Sequence, residues 1–135
     1  MLKIIKKLSK TKSICECTEC SSHYETNHYD ATKSRIGHLC TMCKNPKNQP
    51  LTQALLKKFF EYDPISGELT RRLPTTNNYI GEVVGTLKNN VYLSVGFGDK
   101  EYLVHRLIWL FVKGYLPVQV DHIDHDRLNN SWVNL

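Results

Sequence analysis

HRLIWLFVKGYLPVQVDHIDHDRLNNSWVNL, residues 105–135, changes character in its middle. From Leu103 to Lys113 the apolar residues Leu103, Leu107, Leu110 and Phe111 fall on one helical face. Gly114 supplies a C-terminal stop, and Pro117 follows three residues later. The helical period then gives way to Asp121, His122, Asp124, His125, Asp126, Asn129, Asn130 and Asn134. These are side chains that bind cations and move protons. The Asp124-His125-Asp126 stretch reads as a polar turn rather than a second metal site, because Asp and Asn build turns through their own backbone.

Upstream, Thr52 to Tyr62 carries Leu55, Leu56, Phe59 and Phe60 at helical spacing, with Thr52 placed to cap. DPISG, 63–67, has the Asp, Pro and Gly placement of a turn. Four short segments rich in Leu, Val, Thr and Tyr follow: Glu68 to Leu73, Gly81 to Leu87, Val91 to Phe97 and Glu101 to Val104. Asn89-Asn90 and Gly98-Asp99 separate the later ones, so the sequence predicts an antiparallel meander backed by the 103–113 helix. The fold class expected is α+β, with a three- to four-stranded antiparallel sheet. Arg71 and Arg72 stand at a strand end, either as phosphate contacts or as an ordinary solvated edge.

All five cysteines lie in residues 15–43, which have almost no hydrophobic periodicity. Cys17-x2-Cys20 and Cys40-x2-Cys43 enclose nineteen residues, a spacing that suits a four-thiolate structural zinc site. With so little core, such an ion would supply much of the folding free energy of a zinc-ribbon-like module. Cys15 is the alternative to Cys17 as ligand. His23, His28 and His38 read as surface or loop histidines, since four thiolates already close the site. Lys33 and Arg35 would belong to a basic surface on this module.

Charge is unevenly spread. Residues 1–50 hold nine Lys/Arg against four Asp/Glu, and residues 51–135 hold nine against nine, so the whole net charge of +5 sits in the first part. A basic excess favours an anionic partner, nucleic acid first. The opening MLKIIKKLSKTKS is too interrupted by lysine for a signal-peptide core or a membrane span, so the chain reads as cytoplasmic with no membrane partner. The expected organisation is a basic arm at 1–14, a zinc-binding module at 15–43 and a linker at 44–51. A sheet module with a leading helix then occupies 52–102, and a terminal motif 103–135.

Taken together, His105-Arg106 leading a helix with Trp109, then Gly114 and Pro117, Asp121-His122-Ile123-Asp124, Asn129-Asn130 and Asn134-Leu135 resembles the HNH endonucleases of phage and intron origin. YDPISGELTRR at 62–72, GEVVG at 81–85 and the Tyr102 to His105 approach resemble the small sheet module that precedes the nuclease motif in many of these proteins. The resemblance covers roughly residues 52–135 and implies a partial ββα-metal fold with homing-endonuclease-like hydrolysis of DNA. It implies His122 as general base, Asp121 as a ligand of catalytic magnesium and Asn134 as the residue that holds the hairpin in shape. Hydrolysis of a phosphodiester needs such a base, a cation for the charge growing on phosphorus, and help for the leaving oxygen. His105 would pack or meet backbone phosphate, and Arg106 would join the DNA contacts. A second hairpin strand and a helix carrying the last metal ligand would follow Leu135, so the motif reads as incomplete. The chain would then be a fragment or a natural remnant, with a second copy in a homodimer as another source of that ligand. The cell implied is bacterial or phage-infected. The rival expectation is a catalytically inactive or truncated zinc-containing DNA-binding protein, and a third is a zinc-stapled interaction module.

Overall fold

The computed structural model describes residues 4–8, 12–17, 21–27, 49–75 and 77–135. The chain divides into two compact units, Met1–Lys47 with Pro74–Asn78, and Asn48–Leu73 with Tyr79–Leu135.

In the first unit, β1 (Ile4–Lys7), β2 (Lys12–Glu16) and β3 (His23–Asn27) form an antiparallel sheet in that order. The basic opening, read from sequence as an arm, thus contributes β1 and the start of β2. Ile4, Ile5 and Ile14 supply the β-branched residues that suit a pleated surface. A bulge between Ile4 and Lys6 shifts the β1–β2 register. Cys15 pairs opposite Tyr24 within β2–β3, and Cys17 opens the turn between those strands. That turn is closed by Cys17 N–H to the Ser22 carbonyl at 2.8 Å and Ser21 N–H to the Cys17 carbonyl at 2.9 Å. Cys15 in β2 and Cys17 just beyond its end are both buried. Cys20, Cys40, Cys43, Lys33, Arg35, His28 and His38 lie outside the described residues.

The second unit begins with α1 (Gln53–Phe59), capped by the Thr52 hydroxyl, which accepts from Leu55 N–H at 3.2 Å. The helix stops three residues short of the expected Tyr62. Phe60 and Tyr62 are buried and Glu61 is exposed, and this period of two makes Phe60–Tyr62 a strand, β4. It pairs with β5 (Leu69–Arg71) through the 63–67 turn. Asp63 builds that turn by accepting Ile65 N–H on its carboxylate at 2.9 Å and Gly67 N–H on its carbonyl at 2.8 Å. The single meander expected from sequence is two separate sheets. Past β5 the pairing narrows to a bridge from Thr70 to Val83, flanked by backbone bonds from Arg71 N–H to the Glu82 carbonyl at 3.0 Å and from Val84 N–H to the Leu69 carbonyl at 2.7 Å, in a stretch where Gly81 and Gly85 both take positive φ. The second sheet, β6 (Thr86–Lys88), β7 (Tyr92–Phe97) and β8 (Lys100–Leu103), is antiparallel in that order. Asn89 and Asn90, both left-handed, turn β6 into β7.

β8 runs directly into α2 (Val104–Lys113), which buries Val104, His105, Leu107, Ile108 and Leu110 and ends on left-handed Gly114. Leu56, Phe59, Phe60, Leu69, Val84, Val95 and Phe97 complete one core with the apolar residues of that face. Residues 115–131 contain no helix or strand, and only Trp132–Asn134 form a short 3-10 turn. The stretch around Asp121-His122, half of a hairpin in what the resemblance implies, is a closed loop.

This loop is seated on the 63–67 turn. Tyr62 donates its hydroxyl to the Asn130 carbonyl at 2.7 Å, and Trp132 N–H reaches the Pro64 carbonyl at 2.9 Å. Burial, together with the Asp63 carboxylate, raises the Tyr62 phenol to about 12, so it stays a donor at physiological pH. Gly67 has φ +79°, and a Cβ there would lie 2.4 Å from both the Asn130 carbonyl carbon and the Ser131 nitrogen. Gly67→Ala therefore adds backbone strain to a forced retreat of residues 130–131. It is expected to lower stability by more than about 1 kcal/mol, read as a lower unfolding midpoint in denaturant.

Candidate active site

The site is built on how residues 121–135 satisfy their own backbone. Asn134 is the hub. Its side-chain oxygen accepts Asp124 N–H at 2.9 Å, while its nitrogen donates to Asp124 Oδ1 and to the Asn129 carbonyl, both at 2.8 Å. Its backbone carbonyl accepts Ile123 N–H at 2.8 Å. The Asp124 carboxylate also accepts Asn129 Nδ2 at 2.7 Å and Asp126 N–H at 2.8 Å. These bonds, the one from Asn129 first, hold the Asp124 carboxyl below the usual carboxylate range. The carboxylate is committed to the turn. Asp126 repeats the device on a smaller scale, accepting Leu128 N–H at 3.0 Å. Left-handed His125 closes the tightest bend, its N–H on the His122 carbonyl at 3.0 Å.

His122 is held inside this frame with only 6% of its surface exposed. Its Nε2 lies 2.9 Å from Asn130 Oδ1, and Asn130 is itself buried and anchored through the Tyr62 hydroxyl. The His105 ring meets the His122 ring edge-on at 5.0 Å, and Tyr92 contacts both, at 5.2 Å and 6.2 Å. The Arg127 guanidinium lies 5.3 Å from the centre of the Tyr92 ring, on the side of a recess of about 270 Å³ lined by Asn90, Val91, His125, Asp126, Arg127 and Leu128. Burial, then the neighbouring His122 and Arg106, lowers His105 to about 4. A neutral imidazole therefore stands against His122 at physiological pH, and the site does not carry two adjacent cations.

Asp121 is exposed, and its carboxylate has no hydrogen-bond or ion-pair partner among the described residues. It is thus adjacent to His122 in sequence but differently employed from Asp124. Arg106 donates twice to the Pro117 carbonyl, at 2.9 and 2.8 Å, pinning the segment that leads from α2 to Asp121. Its guanidinium is a strut for the site, in addition to any contact it makes outside. Arg71 lies over the Phe60 ring at 5.8 Å, and exposed Arg72 donates to the Lys57 carbonyl at 2.8 Å. Of the two roles expected for His105, packing or a phosphate contact, its 4% exposure and its place between Tyr92 and His122 fit the packing one. The structure therefore gathers His122, His105 and Asn134 in one region with Asp121 at its edge.

Among the described residues no group of three or more His, Cys, Asp or Glu side chains converges as a metal cage. Sequence reasoning missed Asn130, Tyr62, Tyr92 and Arg127 as parts of the site. The Asn129-Asn130 doublet was visible without a role. The Tyr62 partnership spans 68 residues and leaves no local signal.

Residues 102–135 match the protein-family model described as HNH endonuclease, which supports a nuclease-like function for this segment. No curated protein and no solved structure matches the chain. No helix among the described residues is long and apolar enough to cross a membrane.

The buried neutral His105 has a consequence for stability. An unfolded histidine titrates at about 6.5, whereas His105 in the fold does so at about 4. Between these values the unfolded chain binds the extra proton, so this contribution is fully present above pH 6.5 and is lost as pH falls toward 4. The expected loss is on the order of 2–3 kcal/mol. In His105→Phe, which keeps a ring and removes the titration, denaturant unfolding between pH 7 and 4 should fall less steeply than in the wild type by that amount.

Proposed function

We propose that the chain is an HNH endonuclease that hydrolyses phosphodiester bonds in DNA. The observation that carries this reading is the fixed His122, bonded to Asn130 and next to the carboxylate of Asp121, which has no partner among the described residues, inside the segment matched by the family model. On this reading His122 removes a proton from water, the resulting hydroxide forms the new P–O bond, and the bond to the departing sugar oxygen breaks. That oxygen takes a proton from solvent, and His122 returns its own to solvent. Asn134 keeps the 121–126 backbone in place while this happens.

Magnesium is proposed as the ion taken up with the substrate. It binds typically through one or two carboxylates, substrate phosphate oxygens and retained waters, and an exposed Asp121 meets that requirement where hydrogen-bonded Asp124 does not. Bound there, the ion would offset charge developing on the phosphate. Arg127, over Tyr92 and facing the recess, is a candidate contact for a neighbouring phosphate, beside Arg71 and Arg72.

The first unit is proposed as a DNA-contacting module. Its turn between β2 and β3, with Cys17 buried at the mouth, suits the first half of a Cys17, Cys20, Cys40, Cys43 structural zinc site, and Lys33 and Arg35 would add to its basic surface. Cys15 sits within β2, and burial pushes its thiol up, which disfavours the thiolate a ligand must provide. Phage or homing character, and the cytoplasm of a bacterial or infected cell, belong to the same proposal. The second reading, a DNA-binding protein without catalysis, draws on the lack of a three-ligand cluster among the described residues.

Nicking of supercoiled plasmid separates the two. The wild-type chain with magnesium is expected to nick, EDTA to abolish nicking, and His122→Ala to slow it by about 10²- to 10⁴-fold with DNA affinity retained. Salt-sensitive DNA binding with no nicking by the wild type would sink the nuclease reading and leave the second.

A further inference from the structure

We propose that Asn130 is a positioning residue for His122: its side-chain oxygen holds the proton of the neutral imidazole on Nε2, so that Nδ1 is the nitrogen offered to water. The proposal rests on the nuclease reading for its purpose, but the bond itself is a matter of geometry. Oδ1 is an acceptor without a proton, so an Nε2 at 2.9 Å from it must be the donor. A neutral histidine has one N–H, and once Nε2 carries it, Nδ1 keeps the lone pair.

Three further observations say that Oδ1 is fixed rather than incidental. Asn130 is 3% exposed, so its side chain has little room to turn away. Its backbone carbonyl is tied to the Tyr62 hydroxyl at 2.7 Å. The backbone just after it lies hard against Gly67, where even a Cβ would not fit. The His122 ring is held on its other sides by His105 and Tyr92. Nδ1, by contrast, has no hydrogen-bond partner among the described residues. The ring is thus clamped at one nitrogen and unengaged by them at the other. If the Asn130 amide were turned end for end, its NH2 would donate to Nε2. The proton would then sit on Nδ1, and the open nitrogen could not accept one.

The test reads the proton directly. Two-bond proton–nitrogen correlation spectra of the full chain, labelled with ¹⁵N in histidine and recorded slightly above neutral pH, distinguish the two tautomers of each imidazole. His122 is expected to show a protonated Nε2 and a bare Nδ1, and the opposite pattern in the wild type would overturn the proposal whether or not any variant folds. Asn130→Leu, which removes the acceptor at similar volume, should give a mixture of tautomers. It should also slow plasmid nicking by at least about tenfold with DNA affinity unchanged. Asn130→Asp, which keeps an acceptor oxygen, should hold the Nε2–H form and recover most of the activity. A leucine variant that folds and retains a pure Nε2–H signal would show that something other than Asn130 sets the ring, and would also overturn the proposal. The nuclease reading fails separately: a wild-type chain with the expected tautomer and no magnesium-dependent nicking would refute the enzyme and leave the Asn130 bond standing.

Discussion

The amide of Asn134 does for the last fifteen residues what a ladder of hydrogen bonds does for a strand. Every backbone polar group near a buried side chain has to find a partner, and residues 121–135 have no α-helix or sheet in which to find one, only the short 3-10 turn at Trp132–Asn134. Asn134, with one acceptor and two donors on its side chain, ties Asp124 and Asn129 together across the loop. Asp124 and Asn129 then satisfy the bends on either side. Remove that hub and His122 loses the backbone that fixes it, although Asn134 does not touch the imidazole.

The same economy separates two aspartates that look alike in the sequence. Asp124 accepts three bonds and is part of the frame; Asp121, three residues earlier, has no such partner among the described residues. Histidines divide in a similar way. His105 is forced neutral by burial and contributes a wall, while His122 has one nitrogen engaged and one available. Within a crowded run, the saturation of the neighbours thus sets Asp121 and His122 apart from Asp124 and His105.

Much of the scaffold was legible because it rests on local chemistry. Thr52 as a cap, Asp63 and Gly67 as turn residues, Asn89-Asn90 as a break between strands and Gly114 as a helix stop each act on atoms within a few residues. Legibility failed where a contact at long range decided the outcome. Phe60–Tyr62 fits a helical period as well as a strand, and pairing with Leu69–Arg71 resolves it. The 124–126 segment reads as a polar turn, but Asn134 and Asn129, which fold it on itself, are outside its local signal. His105 was visible as a helix-start histidine, but its burial depends on Tyr92 from one element and His122 from another. Asn130 had no signal beyond its type, since its meaning comes from the ring it faces and from Tyr62.

The hydroxyl of Tyr62 closes a separation of 68 residues on Asn130, and this sets an order of events. During synthesis the turn at 63–67 leaves the ribosome long before residues 129–134 exist, so the helix α1 and the β4–β5 pair can form on a platform that is still empty. Contacts of such high sequence separation are gained late, after the entropy of closing the intervening chain has been overcome. A nascent or partly unfolded molecule would therefore carry its basic first unit before the 121–135 loop is seated. On the nuclease reading proposed above, the capacity to cut would arrive together with the completed fold, which would keep immature chains harmless to the nucleic acid around them.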